Sequence, residues 1–237
     1  MRILRLAGMT ALASMLVATP ARAQVLIGYL LGSVLSTKTF NIGFEIGANF
    51  STLTGLEGAE RRNSTAFGLF YDWRFSEHFH LGGSMLPIAE RGAQSLKPIP
   101  TGDPEIDAQT ADGTLERSIK YLELPILIKW APKRDEGIRV GIGPSLGLIT
   151  GAIDRYEATT AAGNKYVLEN DIEGQLPGLD LGLSADIEWR FQMLSIAARY
   201  TEGMTDLRQP GATAAVHSRT LTGTGRIYLG KKKKSEQ

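Results

Sequence analysis

The sequence predicts an all-β protein, an eight-stranded antiparallel up-and-down transmembrane β-barrel with a short N-terminal helical segment. Apolar residues recur at every second position in eight segments, which is the period of a strand with one apolar face. The connections between these segments alternate between long and short, as in barrels with extended loops on one side of a membrane and tight turns on the other. Past the N-terminus no apolar run reaches the ~18 residues that a spanning helix needs.

Residues 1–23 are predicted to be a secretory signal peptide. Two arginines and an apolar stretch over residues 6–18 precede Ala21-Arg22-Ala23, the small-x-small pattern that signal peptidase cleaves, so cleavage is expected before Gln24. A spanning helix is the alternative, but the stretch is short for a bilayer core of about 30 Å. Cleavage removes three arginines and no acid, which takes the formal net charge from +1 to −2. This charge gives no basis for nucleic-acid binding.

Residues 24–40 are predicted to form a periplasmic segment. Their apolar residues do not alternate, which favours a short helix at the membrane interface or against the barrel mouth; a frayed lead or an additional strand segment is the alternative. The chain contains no cysteine, so neither disulfides nor a lipid anchor on an N-terminal cysteine can form.

The barrel is predicted over residues 41–230, followed by a basic periplasmic tail at 231–237. The long connections are expected over 51–63, 90–117, 150–173 and 202–217. The eight strands are, in order, NIGFEIGANF (41–50), FGLFYDWRF (67–75), residues 79–89, YLELPILIKW (121–130), IRVGIGPSLGLI (138–149), GLDLGLSADIEWRF (178–191), LSIAARY (194–200) and RTLTGTGRIYLG (219–230).

The fourth strand indicates which face is inside. Glu123, Pro125 and Lys129 alternate with leucines, isoleucines and a tryptophan, so the apolar face is expected to contact lipid and the charged face to line the lumen. The interior of an eight-stranded barrel is only wide enough for side chains, and charges enclosed there are expected to pair. The predicted lumen charge network contains Glu45, Asp72, Arg74, Glu123, Lys129, Arg139, Asp180, Asp186, Glu188, Arg199 and Arg226. The predicted aromatic girdle at the periplasmic ends of strands contains Trp73, Phe75, Trp130, Trp189 and Phe191.

Three stretches carry a resemblance to a known family: FEIGANFSTLTGL, YLELPILIKW and the preceding QVLIGYLLGSVLSTKTF. They resemble the outer-membrane β-barrel family common in Bacteroidetes, labelled porin-family or PorT-like, over residues 24–230. The resemblance implies a barrel in the cell outer membrane, and most members of the family have no established activity. Such barrels usually end on an aromatic residue, whereas this chain continues into KKKKSEQ.

The sequence predicts no catalytic, cofactor-binding or metal site. The acidic stretch 103–113 resembles the start of a calcium loop but has Ala108 where the turn needs glycine. His217 and Ser218 are adjacent on a strand and point to opposite faces, so they do not form a nucleophile and base pair.

The expected function is that of a non-enzymatic outer-membrane barrel with a closed, charge-paired lumen and long extracellular loops in structural or interaction roles. A small-solute channel is the alternative, and a lipid-modifying enzyme is a weaker one. The expected partners are outer-membrane lipid and lipopolysaccharide, the outer-membrane assembly machinery and an unidentified extracellular ligand. The barrel is expected to be a monomer that binds no nucleic acid.

Overall fold

The computed structural model describes residues 36–37, 39–100, 104–110, 112–133, 136–159, 165–210 and 212–229. Within these ranges the chain forms β-strands, one short α-helix and one 3₁₀ turn at Glu173–Gln175. The elements are, in order, β1 (Phe40–Thr54), β2 (Glu60–Arg74), β3 (Phe79–Leu96), α1 (Pro104–Thr110), β4 (Thr114–Trp130), β5 (Gly137–Thr159), β6 (Lys165–Asp171), β7 (Leu179–Phe191), β8 (Leu194–Gly203) and β9 (His217–Leu229).

The predicted signal peptide, most of the predicted segment 24–40 and the basic tail 231–237 lie outside the described residues. Neither helical element in the described ranges is long and apolar enough to cross a membrane.

Eight strands close into a ring in which every neighbour is antiparallel. β1 pairs with β2 on one side and with β9 on the other, so the first and last strands form the closing seam. The remaining contacts of the ring are β2–β3, β3–β4, β4–β5, β5–β7, β7–β8 and β8–β9. The predicted eight-stranded up-and-down barrel is therefore confirmed. β6 stands outside the ring and, in the described part of the chain, pairs with β5 alone.

The longest connections lie at one end of the barrel. The turns after β2, β4 and β7 occupy 75–78, 131–136 and 192–193. The last is tight enough that Gln192 adopts a left-handed φ of 49°. At the other end the connections 97–113 and 204–216 are longer, whereas β1 and β2 are joined by residues 55–59 alone. Short turns face the periplasm in barrels of this kind. We call the two ends the periplasmic and outer ends accordingly.

Three of the expected long loops are partly strand. The expected loop 51–63 shrinks to residues 55–59, because β1 continues to Thr54 and β2 starts at Glu60. β3 continues to Leu96 and β4 starts at Thr114, so the expected loop 90–117 shrinks to residues 97–113. The expected loop 150–173 was wrong, because β5 continues to Thr159 and forms a hairpin with β6. The sequence pattern conceals these extensions, since a strand above the membrane no longer needs an apolar outer face.

The outer surface carries a broad belt of exposed apolar side chains. On β7 the alternation is complete, with Leu181 and Leu183 about half exposed while Ser184 on the same strand is fully buried. The predicted girdle residues Trp73, Phe75, Trp130, Trp189 and Phe191 are all exposed at the periplasmic ends of their strands. Trp189 and Phe191 pack together with ring centroids 4.8 Å apart. Such a belt fits hydrocarbon and would be unfavourable in water.

The barrel interior is polar in its periplasmic half and combines an apolar cluster with further buried charges in its outer half. The outer half contains a buried cluster that includes Leu53, Leu115, Ile119 and Tyr156. Along β4 the apolar residues therefore face inward up to Tyr121 and, apart from the buried Leu127, outward from Leu122, although the strand continues without a break. The phase changes because the surroundings of the strand change from water to lipid. The sequence pattern predicts charged residues in the interior, but it does not predict the apolar cluster in the outer half.

Candidate functional site

The centre of the periplasmic half of the lumen is Arg226. Its guanidinium contacts three carboxylates from two strands: Nε lies 2.8 Å from Glu45, Nη1 2.8 Å from Glu188 and Nη2 3.4 Å from Asp186. All four side chains are almost completely buried. We call this group, together with Asp72, Lys129, Arg139 and Arg199, the inner charge cluster. An isolated ion in such a place would cost several kcal/mol, which mutual pairing offsets.

Lys129 joins two of the same carboxylates from a different strand. Its Nζ lies 2.7 Å from Glu188 and 3.2 Å from Asp186, although β5 separates β4 from β7. The side chain passes over Gly141 of β5, where an added Cβ would lie 2.8 Å from Lys129 Cγ. Glycine at this position therefore opens the path along which the lysine crosses.

The remaining members pair around the ring. Arg199 contacts Glu45 at 3.2 Å, and Ser84 donates a hydrogen bond of 2.7 Å to the same carboxylate. Asp72 accepts from Arg139 at 2.9 Å and lies 3.1 Å from a ring nitrogen of His80. These contacts link β1, β2, β3, β5 and β8 through side chains, in addition to the backbone hydrogen bonds that join neighbouring strands.

An aromatic pair closes the periplasmic side of the cluster. The Tyr228 hydroxyl donates to Glu188 at 2.7 Å, and its ring packs edge to face on Phe70 with centroids 4.7 Å apart. The guanidinium of Arg190 lies 3.7 Å from the Tyr228 ring centroid. Arg74, a predicted network member, is only half-buried at the periplasmic end of β2 and pairs in register with His80.

A second group of charges lies nearer the outer end. Arg91 contacts Glu123 at 2.8 Å and Asp180 at 3.6 Å. Asp180 also accepts hydrogen bonds from Ser218 at 3.0 Å and from Tyr121 at 3.2 Å. The sequence analysis included both acids and missed Arg91, which it placed in a loop. The alternation of Ala89, Arg91 and Ala93 on the buried face of β3 was the available signal.

A third ion pair, also missed, lies beneath the outer loops. Arg117 binds Asp154 through two hydrogen bonds of 2.7 and 2.6 Å and donates a third to Gln209 at 2.7 Å. Nearby, the Tyr156 hydroxyl donates to the Ile99 carbonyl at 2.9 Å. Burial raises the pKa of Tyr156 to about 12, so the phenol remains a donor across the physiological pH range.

Above this ion pair the outer end opens into a cleft of about 580 Å³, lined by Leu56, Ile99, Arg117, Gln209 and Val216 among others. Its mixed polar and apolar walls could hold part of a ligand or a loop of a partner. The cleft ends on the Arg117–Asp154 pair and the apolar cluster below it.

His217 and Ser218 do not form a nucleophile and base pair. Ser218 hydrogen-bonds Asp180 inside the barrel, whereas a ring nitrogen of the neighbouring His217 lies 3.1 Å from the Thr205 carbonyl. The two side chains thus point apart, as the alternation of the strand predicts. Among the described residues there is also no group of three or more side chains suited to hold a metal ion.

A closed ring of antiparallel strands, an apolar belt with aromatic residues at one end and a charge-paired interior define an outer-membrane β-barrel. The chain belongs to the outer membrane protein beta-barrel domain family, whose model matches residues 23–209. The protein is accordingly located in the cell outer membrane.

Comparison with curated proteins finds no match to this chain. Similar solved structures include Ail of Yersinia pestis, at 12% identity, with 81% of this chain and 99% of that chain covered and a TM-score of 0.41. Neisserial surface protein A is 8% identical, with coverage of 78% and 96% and a TM-score of 0.36. OprG of Pseudomonas aeruginosa is 10% identical, with coverage of 80% and 92% and a TM-score of 0.30.

Proposed function

We propose that this protein is a non-enzymatic, non-conducting outer-membrane barrel that acts through its outer loops and strand extensions. The observation that carries the proposal is the filling of the lumen. Paired charges fill its periplasmic half, and an apolar cluster with the Arg117–Asp154 pair fills its outer half. A continuous water path would have to displace both layers, and separating the ion pairs would leave charges unpaired in a low-dielectric interior.

The outer end is the part available for interaction. It combines the cleft above Arg117, the connection at 204–216 and the projecting β5–β6 hairpin. We propose a protein or saccharide ligand at this end, with lipopolysaccharide and membrane lipid around the belt and the assembly machinery as a transient partner. The finer likeness to PorT-like barrels of Bacteroidetes is part of this proposal, as is a monomeric state within one membrane.

Single-channel recording in planar bilayers tests the proposal. The wild-type barrel should give no steady unit conductance. A variant that carries Arg226→Ser and Lys129→Ser, which removes two large lumen side chains, serves as the comparison and should show raised conductance or noise. A steady, reproducible unit conductance in the wild type would instead support the small-solute channel.

A further inference from the structure

The strand β6 has one edge without a strand partner in the described part of the chain. Its register with β5 runs from Ile153 opposite Asp171 to Thr159 opposite Lys165. The Ile172 N–H donates to the Ala152 carbonyl at 2.9 Å. Because only every second residue of an antiparallel strand hydrogen-bonds to a given neighbour, this bond shows which residues of β6 bond to β5. Even-numbered residues of β6 therefore bond to β5, while the odd-numbered ones direct their backbone N–H and C=O groups toward the open edge.

This edge stands above the membrane. β5 continues past Leu148, a residue of the apolar belt, for the eleven residues Ile149–Thr159. At about 3.3 Å per residue that is roughly 35 Å along the strand. The side chains of Lys165, Val167, Glu169 and Asp171 are all exposed. An open edge is a template for another strand unless charge or shape prevents pairing.

We propose that β6 pairs antiparallel with β6 of a second copy of this chain in a facing membrane. The charges of KYVLEND are self-complementary about Leu168. When Leu168 of one copy lies opposite Leu168 of the other, Lys165 of each copy lies opposite Asp171 of the other copy. Val167 of each copy then lies opposite Glu169 of the other. In this register the residues that hydrogen-bond across the edge through their backbones are the odd-numbered ones. These are the residues whose N–H and C=O groups face the open edge. The interface is isologous, as in closed two-fold dimers.

Two alternative pairings are less favourable. A shift by one ladder step in one direction places Glu169 opposite Glu169, and a parallel pairing in register places Lys165 opposite Lys165. Like charges directly opposite each other destabilise a strand pair. The Asp171 carboxylate is also held in place, since one of its oxygens accepts the Glu173 N–H at 2.9 Å. Its other oxygen remains for the lysine of the second copy.

The geometry of the pair determines where the second copy must be. Antiparallel strands in one sheet are related by a two-fold axis perpendicular to that sheet. The barrel wall stands along the membrane normal, apart from the tilt of its strands, so this axis lies parallel to the membrane plane. One barrel is then inverted relative to the other, and the two copies belong to facing membranes. A contact of seven residues per copy is small, so stable adhesion requires many copies acting together.

This inference rests on the proposed interaction role of the outer end, and clustering of vesicles tests it separately from conductance. The full chain is reconstituted at high density in phosphatidylcholine vesicles, with heat-modifiable gel migration as the check of folding. Wild-type vesicles should cluster, as followed by light scattering. Lys165→Asp vesicles and Asp171→Lys vesicles should each fail to cluster alone, since like charges then face each other. A mixture of the two should regain clustering, because each aspartate then faces a lysine.

A backbone variant provides the second arm. Val167→Pro removes an N–H that faces the open edge and should abolish clustering, whereas Val167→Thr keeps that N–H and should retain it. Wild-type vesicles that remain dispersed, or a mixture of the two charge variants that remains dispersed while each is folded, would overturn the inference. A non-conducting wild type in either case leaves the proposed function standing, and a conducting one overturns that function alone.

Discussion

Lys129 on β4 contacts Glu188 on β7 across the intervening strand β5, with Nζ 2.7 Å from Oε2. The crossing depends on Gly141, because an added Cβ there would lie 2.8 Å from Lys129 Cγ and 2.9 Å from Asp186 Oδ1. A small residue on one strand thus permits an ion pair between its two neighbours. Glycines on the inner face are in this sense part of the charge cluster.

Gly141→Val should therefore destabilise the barrel. Its side chain would displace the lysine stem, and overpacking in a filled interior costs about 1–3 kcal/mol. Urea unfolding in lipid vesicles, followed by heat-modifiable gel migration, measures the loss. Gly223→Ala is the matched control, since a Cβ at Gly223 meets no atom within 4 Å. Equal stability of the two variants would show that Lys129 does not need this path.

The Arg91–Glu123 pair should show strong coupling in a double-mutant cycle. Arg91→Met or Glu123→Gln alone leaves a buried charge without its partner and should cost about 3–5 kcal/mol, and the double variant should cost less than the sum. Arg91→Met should be the worse single change because Asp180 also loses a cation at 3.6 Å. The exposed pair Arg155–Glu157, at 3.3 Å, is the control and should couple by about 0–1 kcal/mol. Similar coupling in both cycles would contradict a dry, charge-paired lumen.

Leu183→Arg should cost about 2–4 kcal/mol, because the new charge meets hydrocarbon near the middle of β7. Asn63→Arg is the control: it is also exposed on the outer surface, but it lies between polar positions near the outer end. Unfolding free energies in vesicles compare the two. If both arginines are tolerated equally, the belt does not contact lipid at Leu183.

The connection at 204–216 should loosen only in strong acid. Hydrogen bonds from the backbone N–H groups of Val216, at 2.9 Å, and Arg208, at 3.1 Å, hold the pKa of the Asp206 carboxyl below its ordinary value. Because this pKa is depressed on folding, its stabilising contribution is present above the unfolded pKa and is lost as pH falls through the folded one.

A carbon-detected NMR titration of Asp206 in detergent micelles tests the shift, with a midpoint expected below about 3.9, the usual aspartate value. The backbone amides of Val216 and Arg208 should change shift with the same midpoint. A midpoint for Asp206 at or above that of an unperturbed aspartate would contradict the two hydrogen bonds.

The barrel was predictable because lipid imposes a strict pattern on the outer face. Alternation around Ile126 and Ile128 on β4, and around Leu181 and Leu183 on β7, located the strands and their facing. Above the membrane that constraint ends. Leu115 and Ile119 then face inward on the same strand. Because the apolar residues move from the outward to the inward positions, the sequence pattern looks as if the strand ended there.

The sequence predicts many of the charged residues that lie in the interior, but only partly which of them form ion pairs with each other. The acids Glu45, Asp186 and Glu188 fall on strands that the lipid pattern locates, whereas Arg91 and Arg117 lie on extensions that it does not. Which cation meets which carboxylate depends on register across several strands, and β-bulges on β3 and β5 shift that register against β4. The position of Gly141 under Lys129 is likewise a property of three strands together, which no local pattern records.

The seam between β1 and β9 contains an ion pair that forms only when the barrel closes in the correct register. Glu45 and Arg226 lie directly opposite each other there, with Nε 2.8 Å from the carboxylate. The pair can form only when the first and last strands of the chain meet, so an open sheet leaves both ions without each other. A slip of one residue at the seam would turn one of them toward hydrocarbon. A barrel closed in a shifted register would therefore lose this ion pair and be less stable than the native one.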